Sequence, residues 1–321
     1  MGNIRIIDCH CDTLSNILEK KSNIEDDTNH ICLKKLIDSN VGVQVFAAWV
    51  GPKRIHGPAL QRGLNIIDLY YNILNSNKDI LYPILTFDDI TYAWKDKKIG
   101  TFLAVEGGDI LEGQISNIRI LYRLGVRMLT LTWNDRNEIA DGVMERYSKS
   151  GLSQFGREVI YQMNLLGMII DVSHISETGF WDVIELSNHP IVASHSNAKH
   201  ICNNIRNLDD EQIKAIAQKS GMIGINFYPR FLSNDNHATI DDIIRHIEYI
   251  AQLVGVDYVG FGSDFDGIEM LPDGINGPEN FYNVINMLLR LNYKEEDVNK
   301  IANGNFLRVF KQVTENKGAK K

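Results

Sequence analysis

Six side chains able to bind a metal or move a proton stand at the ends of short apolar runs in this sequence: His10 and Asp12, Glu106, His174, His195 and Asp264. His10 and Asp12 are two residues apart, and a strand turns alternate side chains to the same face. An imidazole and a carboxylate on one face can hold one cation, and both suit Zn²⁺. The same alternation predicts that Cys9 and Cys11 point away, outward against helices. For the cysteines to be the ligands instead, two further soft donors would be needed, and the sequence offers none. Glu106 follows the buried run Thr101-Phe-Leu-Ala-Val105 and precedes two glycines. A carboxylate there is costly unless it is paired or bound to a cation. His174 ends Met168-Ile-Ile-Asp-Val-Ser173, and His195 ends Ile191-Val-Ala-Ser194.

His10, Asp12, Glu106, His174 and His195 exceed the three protein ligands of a single catalytic zinc. Two metals resolve the excess, with Glu106 bridging them, His10 and Asp12 on one, and His174 and His195 on the other. Such a pair acidifies a shared water and polarises a carbonyl, the chemistry of amide hydrolysis.

These residues are far apart in the chain, so the fold must gather them. Apolar runs at Ile4–His10, Val41–Trp49, Gly100–Glu106, Val126–Trp133, Met168–His174, Ile191–His195, Met222–Tyr228 and Tyr258–Asp264 read as buried strands. Stretches with helical spacing lie between them, among them 58–77, 113–124, 152–166, 177–187, 209–219 and 241–254. Continuous apolar strands alternating with helices predict a parallel sheet covered on both faces. Eight such units predict an α/β fold of the (β/α)8 TIM barrel type, in which the C-terminal strand ends converge on one face. The rival, an open doubly wound sheet, usually carries a Gly-rich turn after its first strand, and none is present here. Segments 22–30, 134–150 and 229–237 are candidates to cover the mouth. A C-terminal helical segment, 280–291 and 294–312, is expected to pack outside. No Pro/Gly/Ser-rich linker divides residues 1–321, which read as one domain.

With 33 Lys+Arg against 41 Asp+Glu the net charge is −8, which argues against a nucleic-acid partner. The basic run Lys317–Lys321 reads as a solvated tail. No stretch approaches the ~20 apolar residues that span a bilayer, and Gly2 is followed by Ile6 where myristoylation favours Ser or Thr. Four cysteines, Cys9, Cys11, Cys32 and Cys202, are too few for a disulfide scaffold. The expectation is a soluble cytoplasmic protein with free thiols.

The motifs resemble those of the membrane dipeptidase (renal dipeptidase) family of zinc peptidases. The matching pieces are Ile7-Asp-Cys-His-Cys-Asp-Thr13, Glu106-Gly-Gly108, Asp171-Val-Ser-His174, Ser194-His-Ser-Asn197, Arg206-Asn207, Gly260-Phe-Gly-Ser-Asp-Phe-Asp-Gly267 and Asn305-Phe-Leu-Arg-Val-Phe310, in the family's order over nearly the whole chain. The resemblance implies a (β/α)8 homodimer holding two Zn²⁺ per subunit that cleaves dipeptides, including those with a D-residue second. It puts the family's ligands on the five residues reached above. It makes Arg206 the grip on the dipeptide carboxylate and Asp264 the general base and then acid, leaving Asp266 a structural role. The family's mammalian members carry a histidine after the fourth strand that steadies the tetrahedral intermediate. Trp133 stands there in this chain, and indole carries no charge, so that task would pass to zinc or to Asn134. This departure keeps two alternatives open: a dizinc amidohydrolase acting on another small amide or ester, and a catalytically weak metal-binding member.

Overall fold

The computed structural model describes residues 4–52, 56–145, 147–235, 237–315 and 318. Gly2 and the lysines of the Lys317–Lys321 run lie outside them. Nine strands are found among these residues: β1 (Ile6–Asp8), β2 (Val41–Trp49), β3 (Leu81–Pro83), β4 (Ile99–Glu106), β5 (Val126–Thr130), β6 (Ile169–Asp171), β7 (Ile191–Ala193), β8 (Met222–Ile225) and β9 (Val259–Phe261). All but β3 close a parallel barrel, because β2 pairs directly with β4 from Val43↔Gly100 to Trp49↔Glu106 and β1 pairs with β9. The expected eight-stranded barrel is therefore present.

Period-two alternation sorts the apolar residues into two layers. Val43 and Val45 of β2, Phe102 and Ala104 of β4, Met128, Ile169, Val192 and Met222 fill the barrel interior. Their neighbours Phe46, Ala48, Leu103, Val105, Leu129, Ile170, Ile223 and Phe261 pack outward under the helices. Glu106 continues the inward parity of Phe102 and Ala104, so the last residue of β4 is delivered to the mouth. Helices Ala59–Ser76, Ile115–Arg123, Gln154–Leu166, Glu177–Leu186, Asp210–Gln218 and Ile240–Val254 fall within one or two residues of the predicted stretches.

Four differences from the sequence reading have physical causes. β3 is a three-residue strand ending in Pro83; it pairs with β4 at Ile99–Thr101, below the stretch where β5 pairs at Leu103–Glu106. Four helices, Thr13–Lys20, Leu33–Asp38, Phe87–Lys95 and the single turn Pro229–Leu232, lie where none was expected, although Thr86 and Asp89 form a capping box that marks the third. Most strands end earlier than their apolar runs, because the chain leaves the ladder to aim its polar residues. Finally, the C-terminal segment does not pack only outside. In helix Asn305–Glu315 the stripe Phe306, Val309, Phe310 and Val313 enters the interior cluster. Phe306 and Phe310 meet Phe102 at 5.5 and 5.1 Å between ring centroids and seal the floor of the barrel.

Among the described residues no helix is long and apolar enough to cross a membrane. Replacing Phe306 by Ala removes an aromatic plug that no neighbour can refill. The expected cost is about 3–5 kcal/mol, read as a lower urea midpoint with an unchanged circular-dichroism spectrum of the folded form.

Candidate metal centre

Glu106 is the only one of the six candidate residues that lies within a strand. His10 and Asp12 follow β1, His174 follows β6, His195 follows β7 and Asp264 follows β9. His174 and Asp264 adopt φ of 68° and 64°, and Asp266 adopts 65°. Left-handed backbone at non-glycine residues costs of order 1–3 kcal/mol and concentrates at functional sites. Here it turns each chain out of the ladder so that the side chain faces the barrel axis. The left-handed Asp266 is used differently, as expected: its carboxylate accepts His30 N at 2.7 Å, Ile31 N at 3.1 Å and Thr13 Oγ at 2.6 Å, tying the 22–30 excursion to the mouth.

The six side chains meet, all of them buried. His174 Nε2 is 2.8 Å from His195 Nε2 and 2.9 Å from Glu106 Oε1, and His195 Nε2 is 3.6 Å from the same oxygen. On the other side His10 Nε2 lies 3.4 Å from Asp12 Oδ2, 3.5 Å from Glu106 Oε2 and 3.9 Å from Asp264 Oδ1. Glu106 thus turns one oxygen to each group. The His174 ring is held from behind, its Nδ1 2.8 Å from Asn134 Oδ1. That oxygen only accepts, so Nδ1 carries the proton and Nε2 presents a lone pair.

This arrangement fits a cation and fits poorly without one. Lone pairs of two imidazoles and a carboxylate converge on one point, while His10 Nδ1 and Nε2 and Asp12 Oδ1 are buried without a hydrogen-bond partner. Three groups of donors, His10–Asp12–Glu106, Glu106–His174–His195 and His10–His195–Asp264, each lie within 4.8 Å of one another. Gly267 completes the cradle: a Cβ there would sit 2.2 Å from Asp12 Oδ2 and 2.7 Å from Asp264 Oδ1.

The protein alone shares few protons among many acceptors. Burial opposes charge on His10, but Glu106 and Asp12 outweigh it and hold its pKa well above the imidazole range. Burial likewise opposes ionisation of Glu106, and there the charge of His10 and its hydrogen bond prevail and keep it well below the usual carboxylate range. Asp12 is pushed up to about 8 by burial, with the Glu106 charge adding to it. Burial, reinforced by Arg206, brings His174 down to about 4, and burial with the His10 charge takes His195 well below its ordinary value. Asp264 is raised by burial.

Above the six lies a cleft of ≈ 340 Å³, lined by Trp49, Trp133, Asn134, Arg206, Tyr228 and Phe231 among others. Trp133 packs edge-on to Trp49 at 5.4 Å. The Arg206 guanidinium is buried over the Phe231 ring at 5.5 Å, donates to His195 O at 3.2 Å and leaves Nε without a partner. No carboxylate lies within ion-pair distance of it among the described residues. Sequence reasoning missed Asn226, whose side chain donates to Asp264 Oδ2 at 2.9 Å, as well as Tyr228 and the buried Asp8 and Asp171. An isolated polar residue inside an apolar run was the available signal. It also misjudged Cys9. Cys9 keeps the inward parity of Ile7, the alternation breaks between Cys9 and His10 past the end of β1, and only Cys11 packs outward. All four cysteines are free.

At pH 7 the cation-free site holds protons on His10 and on Asp12, and a bound cation must displace them. Titration of Zn²⁺ into the chelated protein, repeated in buffers of different ionisation enthalpy, is expected to release at least one proton at pH 7. Release should fall off and affinity should rise as pH climbs through 8; proton-neutral binding at pH 7 would contradict this protonation pattern.

Comparison with known proteins places the chain in a family. A family model for membrane dipeptidases (peptidase family M19) matches residues 1–321. Dipeptidase tcpJ of Claviceps purpurea (strain 20.1) is 30% identical over 299 residues, 90% of this chain and 70% of its own length. Among solved structures, the metallopeptidase dipeptidase AC superposes with a TM-score of 0.91 at 25% identity, covering 99% of this chain and 100% of that one. A metallopeptidase from Rhodobacter sphaeroides, liganded with a phosphinate mimic of the dipeptide L-Ala-D-Ala, has the same fold at 24% identity, with a TM-score of 0.89 and coverage of 97% and 100%. With a family model spanning its full length and a curated relative at this identity, the chain belongs to the membrane dipeptidase family, peptidase family M19.

Proposed function

We propose that this protein is a dizinc dipeptidase. The observation that carries the reading is the double-faced Glu106: Oε1 meets His174 and His195, and Oε2 meets His10. In this reading His10 and Asp12 hold one cation, His174 and His195 the other, and Glu106 spans both. Bound divalent cations supply Lewis acidity, bringing a water toward ionisation at neutral pH and polarising a carbonyl.

The remaining work falls to the chain's own residues. Among the described residues Arg206 is a buried cation with no carboxylate within ion-pair distance, which supports an anionic ligand at that point; a guanidinium fork matches the two oxygens of a dipeptide's terminal carboxylate. Its position on the cleft wall then limits the substrate to two residues. Asp264 is anchored at Oδ2 by Asn226 and turns Oδ1 toward the cluster. From there it takes the proton of the attacking water and passes it to the departing amine. Trp49 and Trp133, packed edge to face, give the cleft an apolar wall that excludes water from the scissile bond. The cleft volume falls in the range of about 300–1,000 Å³ usual for small-molecule sites. The L-Ala-D-Ala mimic bound by the Rhodobacter sphaeroides protein supports including dipeptides with a D-residue second.

Elemental analysis paired with a screen of L-L and L-D dipeptides, N-acyl amino acids and lactones tests the reading. Two zinc ions per chain and turnover of dipeptides, lost on chelation and restored by Zn²⁺, are expected. Stoichiometric metal without turnover of any dipeptide would overturn it. Arg206→Ala should raise KM for free dipeptides far more than for dipeptide amides. Asp264→Asn should lower kcat by about 10²–10⁴ with the metal retained.

A further inference from the structure

We propose that Asp171, acting through the Ser194 hydroxyl, is a positioning residue that selects which nitrogen of His195 is bare and available to a cation. The proposal rests on the reading of His195 as a ligand and adds a part to that site.

Asp171 ends β6 on the inward face and is fully buried. Its Oδ1 accepts two backbone N–H groups, Ser173 at 3.0 Å and Ser194 at 2.9 Å. Its Oδ2 accepts two hydroxyls, Thr130 Oγ at 2.6 Å and Ser194 Oγ at 2.6 Å. Ser194 Oγ also lies 2.8 Å from His195 Nδ1, and Ser173 Oγ is a longer contact at 3.4 Å. A serine hydroxyl has one hydrogen. Directed at the carboxylate, it leaves only lone pairs for the imidazole, so His195 Nδ1 must be the protonated nitrogen. The bare nitrogen is then Nε2, the atom that faces His174 and Glu106. A histidine ligand is ordinarily oriented by a partner on its other nitrogen; here that partner is a serine that takes its direction from a carboxylate.

The opposite side of the barrel repeats the bracket without the relay. Asp8, at the end of β1, accepts Ser263 N at 2.8 Å, Ser263 Oγ at 2.6 Å and Gln44 Nε2 at 2.9 Å. Ser263 immediately precedes Asp264, as Ser194 precedes His195. Each bracket ties a strand end to that of the neighbouring strand. The residue after Ser263 is a carboxylate, so the Asp8 bracket fixes position alone, whereas the Asp171 bracket also fixes a proton.

Asp171→Asn separates the two roles. The backbone N–H groups at Oδ1 hold the new amide oxygen on their side and place its NH2 against Ser194. Ser194 must then accept, and its own hydrogen turns to His195 Nδ1, moving the imidazole hydrogen to Nε2. In long-range ¹H–¹⁵N spectra of the chelated protein, wild type is expected to show His195 protonated at Nδ1, and the variant at Nε2. Asp8→Asn should leave the wild-type pattern. Zn²⁺ affinity, measured by competition with a chromophoric chelator, should fall about 10–100-fold in Asp171→Asn. Ser194→Ala keeps the backbone donor to Asp171 but loses the relay, and its affinity should fall at least tenfold. An unchanged His195 tautomer in Asp171→Asn, or wild-type Zn²⁺ affinity in Ser194→Ala, would overturn the proposal. Wild-type protein that shows the Nδ1–H tautomer yet binds no Zn²⁺ would overturn the dizinc reading and leave the tautomer assignment standing.

Discussion

Lone pairs brought to converge on one point are the constraint around which this molecule is organised. His174 Nε2, His195 Nε2 and Glu106 Oε1 crowd one point, and His10 and Asp12 crowd the other oxygen of the same carboxylate. Buried together inside the barrel, these electron-rich atoms repel one another. A positive charge makes the arrangement favourable, and the cation-free protein approximates one with protons on His10 and Asp12. The left-handed turns at His174 and Asp264, the glycine beside Asp12 and the two Asp–Ser brackets all hold side chains against that repulsion.

Why a barrel is the right frame follows from the same need. A closed parallel sheet brings the C-terminal ends of all eight strands to one rim, so donors from His10 to Asp264 meet although they are far apart in sequence. The interior below the rim is packed with Phe102, Met128, Ile169 and Met222, and Cys9 lies among such residues. The polar cluster therefore stands on a low-dielectric floor, which strengthens every charge above it.

Much of this was legible in the sequence because buried strands are short, continuous and apolar, and a polar residue at the end of one stands out. His10, Asp12, Glu106, His174, His195 and Asp264 could be read that way, and so could eight strands. β3 could not, since three residues ending in proline give no periodic signal. The supporting groups were harder for another reason. Asp8 and Asp171 look like interruptions inside apolar runs, and only the pairing of β1 with β9 and of β6 with β7 shows that each carboxylate faces a serine just past the end of the neighbouring strand. Cys9 went wrong because its face was read from His10, across the point past Asp8 where the ladder and its alternation stop. The C-terminal helix was recognised as a helix, but an apolar stripe does not say whether it lies along a barrel or beneath it.

That last placement has its own consequence. Phe306 and Phe310 pack against Phe102 at the lower end of the barrel, so among the described residues aromatic side chains fill that end. Whatever enters by the rim must leave by the rim. Two fragments released there would share one doorway with the next arrival, so neither could leave by a route of its own.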